Sequence, residues 1–328
     1  MTRKGFMTSS KQNTGFAIAV AWPETYCKQP GYWYDGLMNL LGFSNYHYYK
    51  VGHAAVVLIN SETSKCHYFD FGRYHTPFQH GRVRSELTDH NLRIKALAKI
   101  SNDACNILNF EEILSELQLN SECHGEGKLH ASYCPVNFDK ALKKATQLQM
   151  NSPITYGPFM YKGSNCSRFV NTCIVAGKPD WKLVFKLRAN VLLTPTPMDN
   201  VNSLNNKIVI PKLLKNTPFC PAIIKDKRIL KQTLAQTIRP SSVPVQAQWL
   251  SGEGSGSWFV IENNSDAFKI SRYCPEGFLE CQSQFNVSNS EEFNLNLSYR
   301  IDHLSHCQKV VFIQNNNRIV FERIENKN

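Results

Sequence analysis

One segment, YGPFMYKGSNCSRFVNTCIVAG from Tyr156 to Gly177, limits the possible fold of this chain more than any other stretch. It predicts a loop that leads directly into a buried helix. Asn165 suits the N-cap position, because its side-chain oxygen can accept hydrogen bonds from the free amides of the first helical turn. Apolar side chains then recur at helical spacing, at Phe169, Val170, Cys173 and Ile174. With Asn165 as the N-cap, Cys166 falls at the first helical position, and Gly177 closes the helix.

A cysteine at the start of a helix is a candidate nucleophile. The free N–H groups and the positive end of the helix dipole favour the thiolate, which is the form that attacks carbonyl carbon. A base is predicted upstream, where residues 51–59 form a buried strand pattern with His53 near its start. A second strand, predicted at 65–71, carries Asp70, which could orient the imidazole. Cysteine, histidine and a third polar group are sufficient for acyl transfer.

The same residues resemble a known family. A Tyr-Gly pair, a short glycine-containing loop and Asn-Cys-Ser before an apolar helix resemble the nucleophile segment of the NlpC-type papain-like hydrolases. In this chain the histidine strand precedes the cysteine. That order resembles the circularly permuted branch of the superfamily, which includes lecithin retinol acyltransferase-like enzymes and bacterial amidase-like relatives. His53, Asp70 and Cys166 match the three places of that branch in order. The resemblance covers roughly residues 15–190 and rests on two short motifs.

The resemblance implies an α+β fold, namely a permuted papain-like domain with an antiparallel sheet and a nucleophile helix. It also implies that Tyr156 donates its hydroxyl to the oxyanion, with a packed loop aromatic as the alternative. The chain departs from the common Asp-Cys-Ser-Gly by placing Arg168 at the glycine position, where it could narrow the site or bind an anionic substrate. His67 competes with Asp70 for the third catalytic position, and strand alternation allows only one of them to face His53.

Local patterns predict further elements of the first half of the chain. The predicted first strand and three helices lie at 16–22, 91–101, 110–119 and 138–149. Two arginines, Arg82 and Arg84, follow the strand that carries the candidate aspartate. They could bind a substrate carboxylate, or they could pair with Glu86 and Asp89.

The chain of 328 residues is long enough for two domains, each with its own core. The permuted papain-like cysteine hydrolase domain is predicted over residues 1–190. Residues 191–245 are poor in pattern and rich in Asn, Pro and Lys, which predicts a basic bridge with a helix near 226–236. Short alternating segments separated by turns then predict a small all-β barrel or sandwich domain at 246–328.

Composition narrows the class of protein. Hydrophobic residues make up 42% and charged residues 19%, as in a soluble globular protein, and no window is apolar enough for a transmembrane segment. The formal net charge of +11 is concentrated at residues 207–240, which hold eight Lys/Arg against one Asp/Glu. Because that block has one aromatic residue, Phe219, base stacking is poorly supported and no nucleic-acid partner is expected.

Cysteine usage bears on cofactors and on the compartment. The eleven cysteines are irregularly spaced without a Cys-x-x-Cys pair, which argues against a disulfide framework. Cys123, His124, His130 and Cys134 form a loose group whose spacing matches no standard site, so no metal and no other cofactor is expected. A reducing cytoplasm is the simplest localisation, because the N-terminus lacks a convincing signal peptide. Export by a non-classical route, or as cargo of a secretion machine, is the alternative.

The sequence and the resemblance together predict a cysteine-dependent amide hydrolase, either a peptidase or a cell-wall-peptide amidase. Cys166 would attack, His53 would be the base and Asp70 would orient the imidazole. The alternatives are hydrolysis or transfer of a lipid acyl ester, and an inactive papain-like scaffold that binds a partner. A cleft around Cys166 that is open to solvent would favour a peptide substrate. An apolar tunnel would favour a lipid substrate, and a blocked cleft would favour the inactive scaffold.

Overall fold

The computed structural model describes residues 13–42, 44–157, 159–189, 194–212, 233–264, 267–288 and 292–324. Within these ranges the N-terminal unit is formed by strands β1 Gly15–Trp22, β2 Tyr26–Lys28, β3 Ser44–Asn45, β4 Tyr48–Lys50, β5 His53–Asn60, β6 Cys66–Gly72, β7 His80–Ser85, β8 Leu129–Val136, β9 Ile154–Thr155 and β10 Asn205–Ile210. Its α-helices are α1 Asp35–Leu40, α2 Phe110–Leu119, α3 Phe138–Met150, α4 Cys166–Ala176, α5 Trp181–Ala189 and α6 Pro197–Ser203. The C-terminal unit is formed by strands β11 Gln248–Leu250, β12 Ser257–Asn264, β13 Ala267–Tyr273, β14 Leu279–Val287, β15 Arg300–Asp302, β16 Lys309–Gln314 and β17 Asn317–Arg323.

The main sheet of the N-terminal unit has the order β10-β8-β1-β5-β6-β7-β9, and neighbouring strands are antiparallel. The central strands β1 and β5 are buried along nearly their whole length. Small residues on one face, such as Ala17 and Ala54, pack against α3 and α4. Larger residues on the opposite face, such as Phe16 and Ile18, pack against α2. Because helices cover both faces of the sheet, the sequences of these strands are continuous runs of apolar residues.

The turn before β5 fixes where the histidine strand begins. Gly52 has a φ of +78°, in the left-handed region that favours glycine, and a Cβ built there would lie 2.9 Å from the Cα of Pro23. Strands β1 and β5 then pair so that Trp22 lies directly opposite His53. These two rings therefore meet at one end of the sheet.

The helix predicted after the loop is α4, which begins at Cys166. The Asn165 side chain accepts a hydrogen bond from the Arg168 amide at 2.8 Å, which is the N-cap interaction expected from the sequence. Predicted elements confirmed to within two residues are the strands at 16–22, 51–59 and 65–71 and the helices at 110–119 and 138–149. No helix in the described ranges is both long enough and apolar enough to cross a membrane.

The helix predicted at 91–101 is wrong. Residues 90–92 form a short 3-10 turn, and the chain then continues without helix. The apolar residues of this stretch alternate, and they pack on the core at Leu92, Ile94, Ala96, Ala98 and Ile100. The carboxylate of Glu116 in α2 accepts hydrogen bonds from the Lys95 and Ala96 amides at 2.7 and 2.9 Å. An extended path is stable here because these donors are satisfied from outside the stretch.

The main sheet of the N-terminal unit extends past residue 190, where the sequence predicted a domain boundary. Strand β10 forms one edge of this sheet, and the Ser132 hydroxyl of β8 donates to the Val201 carbonyl of α6 at 2.7 Å. Both β10 and α6 come from the stretch predicted as a bridge, 191–245. The helix predicted near 226–236 lies largely outside the described residues, and its described part, 233–236, is not helical.

The C-terminal unit is a seven-stranded antiparallel sheet that curls into a nearly closed barrel, in line with the predicted small β fold. The strand order is β11-β12-β13-β14-β17-β16-β15. A side chain bridges the two edge strands, because Gln248 of β11 donates to the Tyr299 carbonyl at 2.8 Å and accepts from the Ile301 amide at 2.7 Å. The core of the barrel contains the phenylalanines Phe259, Phe285, Phe312 and Phe321.

Buried charges join the two units. Asp89 of the N-terminal unit accepts hydrogen bonds from Arg82 at 2.7 Å and from Arg272 of β13, also at 2.7 Å. Arg272 is fully buried, and it also donates to Glu280 of β14 at 2.8 Å. A buried charge that loses its partner is strongly destabilising, so this network fixes the two units against each other.

Replacing Gln248 with Ala should weaken the C-terminal unit, because two backbone groups at the barrel opening lose their hydrogen-bond partner. We expect the free energy of unfolding to fall by about 1–2 kcal/mol, measured by urea denaturation with tryptophan fluorescence. Replacing Asn286, an exposed residue of β14, with Ala is the matched control and should have a much smaller effect. Equal stability of Gln248→Ala and wild type would show that barrel closure does not depend on this side chain.

Candidate active site

Cys166 lies at the start of α4, and 8% of the residue is exposed. Its sulfur interacts with the His53 imidazole, the backbone amide of Ala54 and the Ser167 hydroxyl, the last at 3.9 Å. The N-terminus of the helix is therefore directed at the beginning of β5. This is the strand on which the sequence predicted the base.

The His53 imidazole is held in one orientation by its neighbours. Its Nε2 lies 3.3 Å from Oδ2 of Asp70, which leaves Nδ1 for Cys166. The Trp22 indole stacks on the imidazole, with ring centroids 5.9 Å apart and an interplanar angle of 20°. The indole is fixed in turn by a 2.8 Å hydrogen bond from its N–H to Gln118. The structure thus brings the three predicted residues together in the predicted order.

Asp70 is completely buried and shared by three donors. Besides the bond with His53, it accepts from the Tyr68 hydroxyl at 3.1 Å and from two nitrogens of Arg84 at 3.0 and 2.5 Å. The Arg84 guanidinium also lies 3.7 Å from the ring centroid of Tyr74. Because a bidentate arginine fixes direction as well as charge, Asp70 presents a fixed oxygen to the imidazole.

These contacts shift three pKa values in directions that favour an ion pair. Burial alone would raise the pKa of Cys166, but the hydrogen bond and charge of His53 and the contact with Ser167 bring it below the ordinary value. Burial alone would lower the pKa of His53, yet its hydrogen bonds to Asp70 and Cys166 raise it to about 9. Burial would raise the pKa of Asp70, but the charge of Arg84 and the His53 hydrogen bond hold it well below its usual range. All three shifts favour the charged forms, namely a thiolate, an imidazolium and a carboxylate.

Cys166 lines a cleft of about 720 Å³ that lies between the two units. From the N-terminal unit the lining includes His53, Arg73 and Tyr156. The C-terminal unit contributes residues 253–255 and the turn around Cys274 to Glu280. Many of the lining side chains are charged or able to form hydrogen bonds. The cleft is therefore a groove of mixed polar and apolar surface, with walls from both units.

Tyr156 forms part of the cleft wall near Cys166. Its ring stacks on Phe71 with centroids 5.8 Å apart, and the Arg73 guanidinium carbon lies 5.1 Å from the ring centroid. Its hydroxyl oxygen is 3.6 Å from the Cys27 sulfur. Burial raises the pKa of Tyr156 well above the ordinary value, and the nearby Cys27 and Cys166 raise it further. The hydroxyl therefore keeps its proton and can act as a donor.

Two other predicted residues lie away from this group. His67 is on the other face of β6, with its Nδ1 3.1 Å from Oε1 of Glu86, so the residue beside the imidazole is Asp70. Arg168 donates to the Gly163 carbonyl at 2.9 Å and is not among the residues that line the cleft. Its binding of an anionic substrate stays a prediction.

Comparison with known proteins gives the family. Residues 17–183, about half of the chain, match the family model described as Type VI secretion system effector TseH-like. The chain belongs to the TseH-like family. Residues 247–324 match a second model, the DUF6695 C-terminal domain. A crystal structure of the Type VI secretion system effector TseH matches with 24% identity over 53% of this chain and 82% of that chain, at a TM-score of 0.36. No curated protein matches the chain.

The TseH-like region, residues 17–183, begins in β1 and ends in α5. It therefore contains Cys166, His53 and Asp70, together with Tyr156. The wall of the cleft that comes from the C-terminal unit lies in the second matched region.

Sequence reasoning missed three residues around the site of this TseH-like chain. Arg84 was expected to bind a substrate or a neighbouring acidic residue, but it pairs with Asp70, which lies opposite it in the β6–β7 register. Aligning those two strands around their turn could have found this pair. Trp22 was predicted as a strand residue without a role, and its place beside the imidazole follows from the β1–β5 register. Glu253 comes from a glycine-rich loop that carried no signal of a contact with the cleft.

Replacing Asp70 with Asn should destabilise the protein, because the buried Arg84 charge would lose its counter-ion. We expect the free energy of unfolding to fall by about 3–5 kcal/mol at pH 7, measured by urea denaturation. Since the folded-state pKa of Asp70 is below its unfolded value, the stabilisation is present above the unfolded pKa, about 3.9, and is lost as pH falls through the folded pKa. The difference between variant and wild type should therefore shrink in acid.

Asp103→Asn is the control for this prediction, because Asp103 lies in an exposed loop. It should leave stability close to that of wild type at pH 7. A loss for Asp70→Asn no larger than the loss for Asp103→Asn would contradict the assigned role of the Asp70–Arg84 pair.

Proposed function

We propose that the protein is a cysteine-dependent amide hydrolase with a permuted papain-like active site. The observation that carries the proposal is the line of contacts from Cys166 at the helix start, through His53, to the buried Asp70. Nucleophile, base and orienting group are the three parts that thiol acyl transfer requires. The match to the TseH-like family and the resemblance to NlpC-type hydrolases support the same class.

In the proposed reaction the Cys166 thiolate attacks the carbonyl carbon of an amide, and negative charge develops on the carbonyl oxygen. The Cys166 amide and the Tyr156 hydroxyl stabilise this oxyanion. His53 donates its Nδ1 proton to the leaving amine as the C–N bond breaks. His53 then accepts a proton from the water that hydrolyses the thioester. Asp70 keeps the proton on Nε2 and fixes the plane of the ring.

A peptide or a cell-wall peptide is the proposed substrate. The cleft that Cys166 lines carries charged side chains on both walls, among them Lys28, Glu122 and Glu276. Such a lining can pair with the polar backbone and charged groups of a peptide. Lipid acyl ester chemistry, the second activity implied by the resemblance, would require an apolar channel for the acyl chain. An inactive scaffold would have no need for an activated thiol.

The proposal includes a place of action. The family description is that of Type VI secretion system effectors, which supports a role as a secreted effector. We propose that the protein is made in the cytoplasm and leaves it as cargo of such a machine. Retention in the cytoplasm, the simplest prediction from the sequence, is the alternative.

Cys166 should be alkylated by iodoacetamide at pH 6.5 faster than the other cysteines, because its pKa is lowered and the thiolate is the reactive form. In His53→Ala the imidazolium is lost and burial raises the pKa of Cys166. One unit of pKa changes the thiolate fraction tenfold, so we expect alkylation to slow by at least about tenfold. Peptide mapping by mass spectrometry over a pH series measures the rate at each cysteine.

Cys105 is the internal control, since it is exposed whereas Cys166 is buried. A reaction governed by exposure alone would modify Cys105 first. Faster labelling of Cys105 than of Cys166, or an unchanged Cys166 rate in His53→Ala, would remove the basis for a catalytic pair.

Cys166→Ala should abolish release of amines from soluble cell-wall peptides, because no other group replaces the nucleophile. Fluorescamine detection of new primary amines measures the activity, and Cys173→Ala, on the same helix but away from its start, is the control for altering a buried thiol. Release of fatty acid from phosphatidylcholine vesicles without any amine release would favour the lipid alternative. Equal activity of Cys166→Ala and wild type would exclude the proposed nucleophile.

A further inference from the structure

We infer that Glu253 of the C-terminal unit is a positioning residue for the active site, because it holds Arg73 against Tyr156. The inference rests on the proposed function, in which Tyr156 stabilises the oxyanion. It assigns the C-terminal unit a part in the chemistry of the cleft, in addition to any role in recognition.

The loop that carries Glu253 is docked on the N-terminal unit by backbone and side chain together. The Glu253 amide donates to the Thr76 carbonyl at 2.7 Å. Its carboxylate binds Nη1 of Arg73 at 2.5 Å and accepts from the Gln79 amide at 2.8 Å. The next residue, Gly254, has a φ of +77°, and a Cβ there would lie 2.3 Å from the Arg73 carbonyl oxygen. This close approach requires glycine.

The second observation is what Arg73 touches on the side of the cleft. Its guanidinium lies over the Tyr156 ring, and its Nη2 donates to the Lys28 carbonyl and to the Cys27 sulfur, the latter at 3.5 Å. The Tyr156 hydroxyl is 3.6 Å from the same sulfur. One guanidinium therefore contacts both the tyrosine and the thiol that neighbours its hydroxyl.

The chemical consequence concerns the hydroxyl proton of Tyr156. Because Arg73 supplies a donor to the Cys27 sulfur, the tyrosine proton is not required there and is available to an oxyanion. A buried guanidinium that loses its carboxylate partner is strongly destabilised. Among the described residues, Glu253 is the acidic side chain within ion-pair distance of Arg73. The position of the tyrosine wall thus depends on a residue from the other unit.

Two thiol probes separate this role from a general effect on the nucleophile. Iodoacetamide alkylates sulfur by displacing iodide from a saturated carbon, so no oxyanion forms. p-Nitrophenyl acetate acylates sulfur: the thiolate bonds to the carbonyl carbon through a tetrahedral oxyanion, and the C–O bond breaks to release p-nitrophenolate. Loss of oxyanion support should therefore slow acylation of Cys166 and leave alkylation unchanged.

We expect Glu253→Gln to slow acylation of Cys166 by about tenfold or more, given that a direct oxyanion donor contributes about 10²–10³. The alkylation rate and its pH profile should stay within about twofold of wild type, since the His53–Asp70 pair is untouched. Tyr156→Phe should show the same selective loss. Because Glu253 acts through Tyr156, the double variant should be no slower than Tyr156→Phe alone. Glu262→Gln, which alters a surface ion pair of β12 with Lys269, is the control.

Several results would overturn the inference. These are an unchanged acylation rate in Glu253→Gln, equal losses of acylation and alkylation, or additive losses in the double variant. If Glu253→Gln does not fold, Glu253→Asp keeps the charge but shortens the reach to Arg73, and acylation equal to wild type would overturn the inference. Failure of the proposed function itself has a different signature: Cys166 of the wild type would react with neither probe if it is not a nucleophile, and the wild type would release fatty acid without any amine if the substrate is a lipid.

Discussion

The N-terminal unit is organised around one carboxylate that has no exposed surface. Asp70 receives hydrogen bonds from His53 on β5, Tyr68 on its own strand and Arg84 on β7. A buried negative charge is tolerated only while its partners stay in place, so the register of these three strands is fixed by charge as well as by apolar packing. The direction of the imidazole depends on this arrangement, and the ionisation of Cys166 depends in turn on the imidazole.

The cleft also depends on buried charges, because they hold its two walls together. Cys166 lies on one wall, while the opposite wall comes from loops of a barrel that has a core of its own. The interface between the units contains the buried ion pair of Arg272 and Asp89. An interface held by ion pairs allows one relative position of the two units, because each ion must meet its partner. An apolar interface allows the two units to shift against each other. We expect the cleft to keep a constant width for this reason.

Local signals in the sequence predicted more of the site than of its surroundings. The Asn165 cap and the apolar helix positions depend on residues close in sequence, and the start of α4 was predicted correctly. The stretch 91–101 was predicted as a helix although its apolar residues alternate as in an extended chain. The two patterns are easily confused here, because five alternating apolar residues also match some positions of a helical repeat. The contacts of Arg84 and Glu253 arise from strand register and from the docking of two units, which no short window contains.

The strand order of the barrel has a consequence for how the protein is made. Strand β17 lies between β14 and β16, so a strand late in the chain occupies an interior position of the sheet. The sheet cannot be completed until residues 317–323 have emerged from the ribosome. The segment with Cys166 and His53 is synthesised well before that point, whereas the barrel whose loops form the other wall is incomplete until β17 pairs with β14 and β16. During translation, Cys166 therefore exists before the second wall of its cleft is complete.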